Sequence, residues 1–248
     1  AAQTGERLRY EAVLAAPGAF PQALAAFRAR GGRGCNVTVP FKEDAWRCCA
    51  ARSERADLAQ AVNTIRFEPD GGAWGENTDG VGLVRDLTAN LGLTLAGRRL
   101  LVLGAGGATR GILGPLLAER PALVVVANRT AARATALVSR YAGLGTVWGG
   151  GFDLLDGQRF DLVLDATSAG LQREAPPLPG GLFAAGGVAY ALVYGPAAEP
   201  FLAGARLAGA TRAADGLGML VEQAAESYAL WRGRRPATAP VIAALRGR

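Results

Sequence analysis

Two short runs with no polar residue, Leu100-Leu101-Val102-Leu103 and Leu123-Val124-Val125-Val126-Ala127, restrict the fold of this chain more than any other feature. A strand with one face in water alternates apolar and polar side chains, whereas one that is apolar throughout is covered on both faces. Strands of that kind belong to parallel sheets with helices packed on each side. A third run, Phe160-Asp161-Leu162-Val163-Leu164-Asp165, has the same character, and Gly187 to Tyr194 reads as a further strand. A proline-bearing turn at Pro196 and an amphipathic helix through Phe201 and Leu207 extend the pattern. Residues 81–216 are therefore expected to form an α/β lobe on a parallel sheet.

The first run leads straight into Gly104-Ala105-Gly106-Gly107-Ala108 and a helical pattern. Glycines let the backbone turn tightly and approach a pyrophosphate, while the helix that follows offers unpaired N–H groups and the positive end of its dipole. Thr109 stands where a third glycine is usual, so the G-x-G-x-x-G pattern is incomplete; the flanking strand and helix and the second buried strand supply the context. At the end of that second strand an NAD-binding chain offers an acid to the ribose hydroxyls. Here the residues are Asn128-Arg129-Thr130, with Arg133 one turn later. Two arginines and a hydroxyl suit a 2′-phosphate, and cations at a helix start oppose its dipole, which favours a bound anion. The predicted cofactor is NADP. The loop Ala166-Thr167-Ser168-Ala169-Gly170 is expected to line the nicotinamide crevice. Asp215 is expected to cap a helix on which Met219 and Gln223 share a face at i, i+4.

The first part of the chain is organised around Asn36-Val37-Thr38-Val39-Pro40-Phe41-Lys42-Glu43, because Lys42 is the only lysine among 27 basic residues. Arginine stays charged at any working pH, whereas lysine can release and recover a proton. Residue type alone also allows Lys42 to be a solvated cation at a helix start. Its position favours the chemical reading: Cys35, Val37 and Val39 alternate as in a strand, Pro40 ends the pairing, and ligand sites of α/β sheets gather at strand ends. Histidine is absent, so proton transfer falls to Lys, Asp, Glu, Tyr or Cys. Without histidine, and with Cys35, Cys48 and Cys49 lacking metal-type spacing, no metal site is expected.

Around that stretch, residues 7–14 alternate as a strand through Leu8, Tyr10, Ala12 and Leu14. Pro21 opens a helix that ends at Gly31-Gly32. A helix from about Glu43 to Ala51, a short helix, a strand through Ala61-Val62-Asn63-Thr64-Ile65 and a hairpin return at Trp74 to Gly80 follow. Val81 to Leu91 is helical, and the boundary between two lobes lies along it. The net charge of +6 comes from arginines spread along the chain, which favours small anionic ligands over nucleic acid. No apolar run reaches bilayer length, and the sparse cysteines fit a reducing compartment, so no membrane partner and a cytoplasmic location are expected.

Together these motifs resemble the shikimate dehydrogenase family from Tyr10 to the C-terminus. The match rests on Asn36 to Lys42, Ala61 to Thr64, Asn77-Thr78-Asp79-Gly80-Val81-Gly82, Gly104 to Ala108, Asn128 to Thr130 and Ala214 to Met219. The resemblance implies two lobes, a substrate domain of residues 1–80 plus 217–248 and a Rossmann-like NADP domain of residues 81–216. It implies reversible NADP-dependent reduction of 3-dehydroshikimate to shikimate, with Lys42 and Asp79 as the acid-base pair. Thr38, Asn36, Asn63, Tyr194 and Gln223 would contact the substrate, and Leu192, Gly216 and Met219 would join Thr167 and the glycine turn at the cofactor.

The chain departs from the family in three places. The Ser-x-Ser segment that holds the substrate carboxylate is missing, since Ser53, Ser139, Ser168 and Ser227 all lie downstream. Either an N-terminal piece is lacking or substrate use is altered, and the sheet edge that a missing strand would bare favours the first. Ala191 stands for a usual aspartate, and Asp165 for a usual asparagine. A dehydrogenase of quinate or a related ring acid and a non-catalytic NADP-binding homologue stay open as alternatives, as does the choice of monomer or homodimer.

Overall fold

The computed structural model describes residues 1–167 and 174–247 and contains two sheets. β1 (Gly34–Asn36), β2 (Ala51–Arg52), β3 (Thr64–Phe67) and β4 (Ala73–Glu76) form a mixed sheet in the order β1-β3-β4-β2. α1 (Phe20–Ala29) precedes β1, and α2 (Lys42–Cys48) and α3 (Glu54–Ala59) lie between its strands in sequence. β5 (Arg99–Leu103), β6 (Leu123–Ala127), β7 (Val147–Gly150), β8 (Phe160–Asp165), β9 (Phe183–Ala191) and β10 (Arg212–Ala214) form the second sheet, parallel throughout. Its order, β7-β6-β5-β8-β9-β10, is that of a Rossmann sheet, with the chain reversing its direction of travel between β5 and β8.

Alternate side chains of the apolar runs feed two separate cores. Leu100, Val102, Val124, Val126, Leu162 and Leu164 join one cluster, with Leu83 of α4 (Asp79–Arg85), Ile112 and Leu116 of α5 (Gly107–Ala118) and Leu137 of α6 (Ala131–Val138). Leu101, Leu103, Leu123, Val125 and Val163 join the other, with Phe201 and Leu202 of α7 (Glu199–Leu207). Each fully buried Leu or Val side chain contributes roughly 1.5–3 kcal/mol, and here the apolar positions on both faces are withdrawn from water.

α4 continues through a wider π turn, Asp86–Asn90, and packs on α8 (Leu217–Arg232) with almost no side chain between them. A methyl group added at Gly82 would lie 2.7 Å from Cβ of Gln223, and one at Gly218 would overlap the Asp86 carboxylate. Buried Asp86 accepts hydrogen bonds from Tyr190 Oη (2.7 Å) on β9 and Asn90 Nδ2 (2.8 Å), linking this seam to the parallel sheet. Burial, then the adjacent Asp86 charge, pushes the Tyr190 phenol well above its ordinary value. At its far end α8 donates from Trp231 Nε1 to the Ile65 carbonyl (2.9 Å) of β3. α9 (Ala239–Arg246) closes the chain. No helix among the described residues is long and apolar enough to cross a membrane.

Several local expectations are corrected. Residues 7–14 form no strand: they have no ladder partner, and Leu14 is 97% exposed, so alternation alone did not secure pairing. α2 stops at Cys48, where the chain extends into the two-residue β2. β3 begins at Thr64 rather than Ala61. β9 starts at Phe183 and ends at Ala191, because a bulge before Val188, with Gly186 at φ 78°, absorbs the residues expected to open it. β7 and β10 are additional strands, too short or too glycine-rich to show an apolar run. Asp215 precedes the α8 cap, which is Gly216; its carboxylate accepts from Gly195 N (2.9 Å) and, at 3.4 Å, from Leu217 N.

Candidate active site

Lys42 opens α2 beyond the turn Val37 to Phe41 that follows β1, and its carbonyl accepts the Val62 N–H at 2.9 Å. Asp79 opens α4 at the exit of β4, where Asn77 Oδ1 accepts its backbone N–H at 3.1 Å. These two helix starts bring Lys42 Nζ to 2.5 Å from Asp79 Oδ2. Both side chains are largely shielded, 16% and 9% exposed, so their attraction is far less screened than that of a surface pair. The other carboxylate oxygen, Oδ1, accepts from Asn63 Nδ2 at 2.8 Å. Asp79 is thus held from both sides with its charge directed at the ammonium.

Behind the pair lies a buried polar network. Asn63 Oδ1 accepts from Thr78 N (2.9 Å) and Thr64 Oγ1 (2.9 Å). Ser227 Oγ on α8 lies 2.8 Å from Thr64 Oγ1 and donates to the Gln223 carbonyl at 3.0 Å. Asn36 Nδ2 donates to Thr64 Oγ1 (3.1 Å) and Ser227 Oγ (3.0 Å), while its Oδ1 accepts from Tyr10 Oη (2.8 Å). Buried polar groups destabilise a fold unless satisfied, and satisfied ones fix a single arrangement. Sequence reasoning missed Thr64, Thr78 and Ser227. The available signals were that Thr64 and Thr78 adjoin Asn63 and Asp79, and that Ser227 falls one turn beyond Gln223.

One cleft runs between the two sheets. Lys42, Asp79, Thr38, Asn36, Asn63, Tyr194 and Gln223 line it together with Gly104 to Ala108, Asn128, Arg129, Arg133, Thr167, Leu192, Gly216 and Met219. Its volume of about 2540 Å³ exceeds the roughly 300–1,000 Å³ of a single small-ligand pocket. Thr130 stands apart, outside the lining, with its carbonyl accepting from Asn128 Nδ2 at 2.9 Å. Ser168, Ala169 and Gly170 of the expected nicotinamide loop lie outside the described residues. Arg110 of α5 meets Glu43 of α2 at 3.4 Å, a contact between the two halves.

The residues at the parallel sheet fit a phosphorylated dinucleotide. Gly104 adopts φ 100°, a left-handed conformation, and a side chain there would press on the Ala166 carbonyl at 3.1 Å. Thr109, in place of the third glycine, is fully buried and donates from Oγ1 to the Gly104 carbonyl at 2.7 Å, tying the turn to its helix. Gly107 and Ala108, the first residues of α5, line the cleft. Among the described residues neither Arg129 nor Arg133 has an ion-pair partner, although both sit at the start of α6, where the dipole disfavours cations. Two guanidiniums without an ion-pair partner among the described residues, beside a helix N-terminus, could hold a phosphate group.

The two departures from the family within the strands have a common location. Asp165 of β8 and Ala191 of β9 are direct partners in register. One carboxylate, that of Asp165 on β8, is present at this rung of the ladder. It accepts from Thr167 N (3.0 Å) and Thr167 Oγ1 (2.7 Å), and burial raises its pKa above the usual carboxylate range, partly offset by those two bonds.

A Rossmann sheet with a phosphate cradle, facing a shielded ammonium-carboxylate pair on a second sheet, defines a two-lobed dinucleotide-dependent oxidoreductase. Comparison with known proteins carries this further. The family model for the shikimate dehydrogenase substrate binding domain matches residues 1–65, that for shikimate / quinate 5-dehydrogenase residues 86–169, and that for the shikimate 5′-dehydrogenase C-terminal domain residues 216–246. Shikimate dehydrogenase (NADP(+)) of Dechloromonas aromatica is 55% identical, covering 100% of this chain and 90% of its own. The enzyme of that name from Alkalilimnicola ehrlichii is 56% identical over 99% of this chain and 90% of its own. Among solved structures, an Ael1 enzyme from Pseudomonas putida superposes with a TM-score of 0.88 at 46% identity, covering 98% of this chain and 89% of that one. Shikimate 5-dehydrogenase from Thermus thermophilus, in complex with NADP(H) and shikimate, gives 0.81 at 35% identity over 94% and 85%. The chain belongs to the shikimate dehydrogenase family.

Proposed function

We propose that this protein is an NADP-dependent oxidoreductase that interconverts 3-dehydroshikimate and shikimate, as the relatives' names indicate for them. The observation that carries the reading is the 2.5 Å contact of Lys42 Nζ with Asp79 Oδ2, in one cleft with the glycine turn. NADPH, when bound, supplies the hydride. Lys42 holds a proton at Nζ for the oxygen of the ring ketone, where negative charge grows, and stabilises that charge as it gives the proton up. Asp79 orients the ammonium through Oδ2 and is itself fixed by Asn63 at Oδ1. Thr38, Asn36, Asn63, Tyr194 and Gln223 hold the hydroxylated ring; Gln223 Nε2 and Asn36 Nδ2 are partly committed to protein partners, which limits the poses available.

Gly104 to Ala108 cradle the pyrophosphate, Asn128, Arg129 and Arg133 take the 2′-phosphate, Thr130 supports Asn128, and Thr167, Leu192, Gly216 and Met219 border the nicotinamide. Residues 1–80 with 217–248 form the substrate lobe and residues 81–216 the cofactor lobe, a division supported by the extents of the two sheets. The protein acts in the cytoplasm as a monomer or homodimer, without nucleic-acid partners, a reading supported by its dispersed arginines.

The test is the absorbance of NADPH formed with shikimate, and separately with quinate, under NADP and under NAD. Formation with shikimate and NADP is expected. Turnover with quinate alone would make it a dehydrogenase of that acid, and saturable NADP binding without turnover of either would make it a non-catalytic homologue.

A further inference from the structure

Asp165 is a carboxylate that the chemistry above does not use. It closes β8 next to the point where the sheet reverses direction, and it is 2% exposed. No ion-pair partner reaches it among the described residues. Its neighbours in register are Leu103 of β5 and Ala191 of β9, both uncharged, and from its own strand exit Thr167 donates to it. Both Thr167 bonds end on the same oxygen, Oδ1. Oδ2 is therefore able to take up or release a proton without disturbing Thr167.

Position gives this freedom a consequence. Ala166 and Thr167, the next two residues, form the wall against which Gly104 turns: a side chain at Gly104 would meet the Ala166 carbonyl oxygen at 3.1 Å and Thr167 Cγ2 at 3.2 Å. The carboxylate sits one residue behind the surface that, on the proposed function, receives the cofactor pyrophosphate. We propose that Asp165 makes dinucleotide binding proton-linked: the ionised carboxylate holds affinity down, and over the pH range in which Asp165 titrates binding is accompanied by fractional proton uptake at Oδ2. Burial already favours the protonated form, and an anion placed nearby favours it further. The pKa of Asp165 is thus higher in the complex than in the free protein. Affinity is greatest below the free-protein value, falls as pH rises between the two values, and is level above the bound value. For a unit charge at roughly 8–10 Å and an effective dielectric of ~20, the difference is about ten- to thirty-fold in Kd.

The experiment is nucleotide binding by the full chain, followed by tryptophan fluorescence from about pH 5 to pH 8, for the wild type, Asp165→Asn and Asp165→Ser, with folding checked by circular dichroism. NAD is used beside NADP because it lacks the 2′-phosphate, which titrates near pH 6 itself. The neutral variants are expected to bind both nucleotides about ten- to thirty-fold more tightly at the upper end of the range, with the advantage shrinking as pH falls. Equal affinities and parallel pH profiles would overturn the proposal. If the variants do not fold, calorimetry of NAD binding to the wild type in two buffers of different protonation enthalpy decides: proton uptake upholds it, and none across the range overturns it. Absence of saturation in folded wild type and variants alike would remove the dinucleotide reading as well, an outcome distinct from equal Kd values.

Discussion

The two sheets stabilise themselves by opposite means. The parallel sheet is sandwiched between two apolar clusters, with Leu and Val filling both faces. The mixed sheet has a small cluster around Val37, Val62 and Ile65, and beside it Asn63, Thr64, Thr78, Asp79 and Ser227 are buried together. Apolar contacts are non-directional and tolerate small shifts, whereas a hydrogen-bonded network specifies positions of individual atoms. On the proposed function, the half that aims one ammonium is built of the directional kind. The half proposed to hold the dinucleotide is built of the forgiving kind, with the Gly104 turn and the Arg129 corner as its proposed points of specificity.

The sharpest way to break this contrast is at Lys42. Lys42→Ala is expected to lower kcat by about 10²–10⁴-fold while the folded state and nucleotide binding persist. Lys42→Arg keeps the charge yet is expected to fail comparably, because guanidinium does not release its proton. Normal steady-state turnover in the arginine variant would remove Lys42 from the acid role. Next in size is Gly218→Ala, whose methyl group overlaps Asp86 at the seam between the halves; a loss of about 3 kcal/mol in denaturant unfolding is expected. Unchanged stability would mean that α4 and α8 are free to separate.

Arg129→Ala tests the corner of the parallel half alone. KM for NADP should rise about 10–100-fold, the loss of a charge-assisted contact, with KM for NAD unchanged. An equal rise for both nucleotides would place Arg129 elsewhere than at the 2′-phosphate. The smallest effect is expected from Tyr190→Phe, which removes one of two donors to buried Asp86 and should reduce stability by about 1.5 kcal/mol with KM values unchanged. A change in kcat of the size expected at Lys42 would show that the seam transmits to the Lys42–Asp79 pair.

The same contrast explains what the sequence disclosed. β5, β6 and β8 were legible to within a residue because burial on both faces leaves an unbroken apolar run. β7, as Val147-Trp148-Gly149-Gly150, and the three-residue β10 carry no such run. The expected strand at residues 7–14 failed because a period of two records only a capacity to pair, and no neighbour supplies the ladder. At the site, Lys42 and the arginines stood out by residue type and by their place at element ends, whereas Asp79 was indicated only by the family resemblance. Ser227 and Thr64 did not: each is an ordinary hydroxyl in its own segment, and only the approach of α8 to β3 makes them partners.

The seam of α4 on α8 also limits how the cleft changes width. Where backbones meet at Gly82 and Gly218 without side chains as spacers, sliding one helix along the other drives Cβ and carboxylate atoms into each other. Asp79 at the head of α4 and Gln223 on α8 therefore travel as one rigid jaw, and adjustment is left to the elements they face.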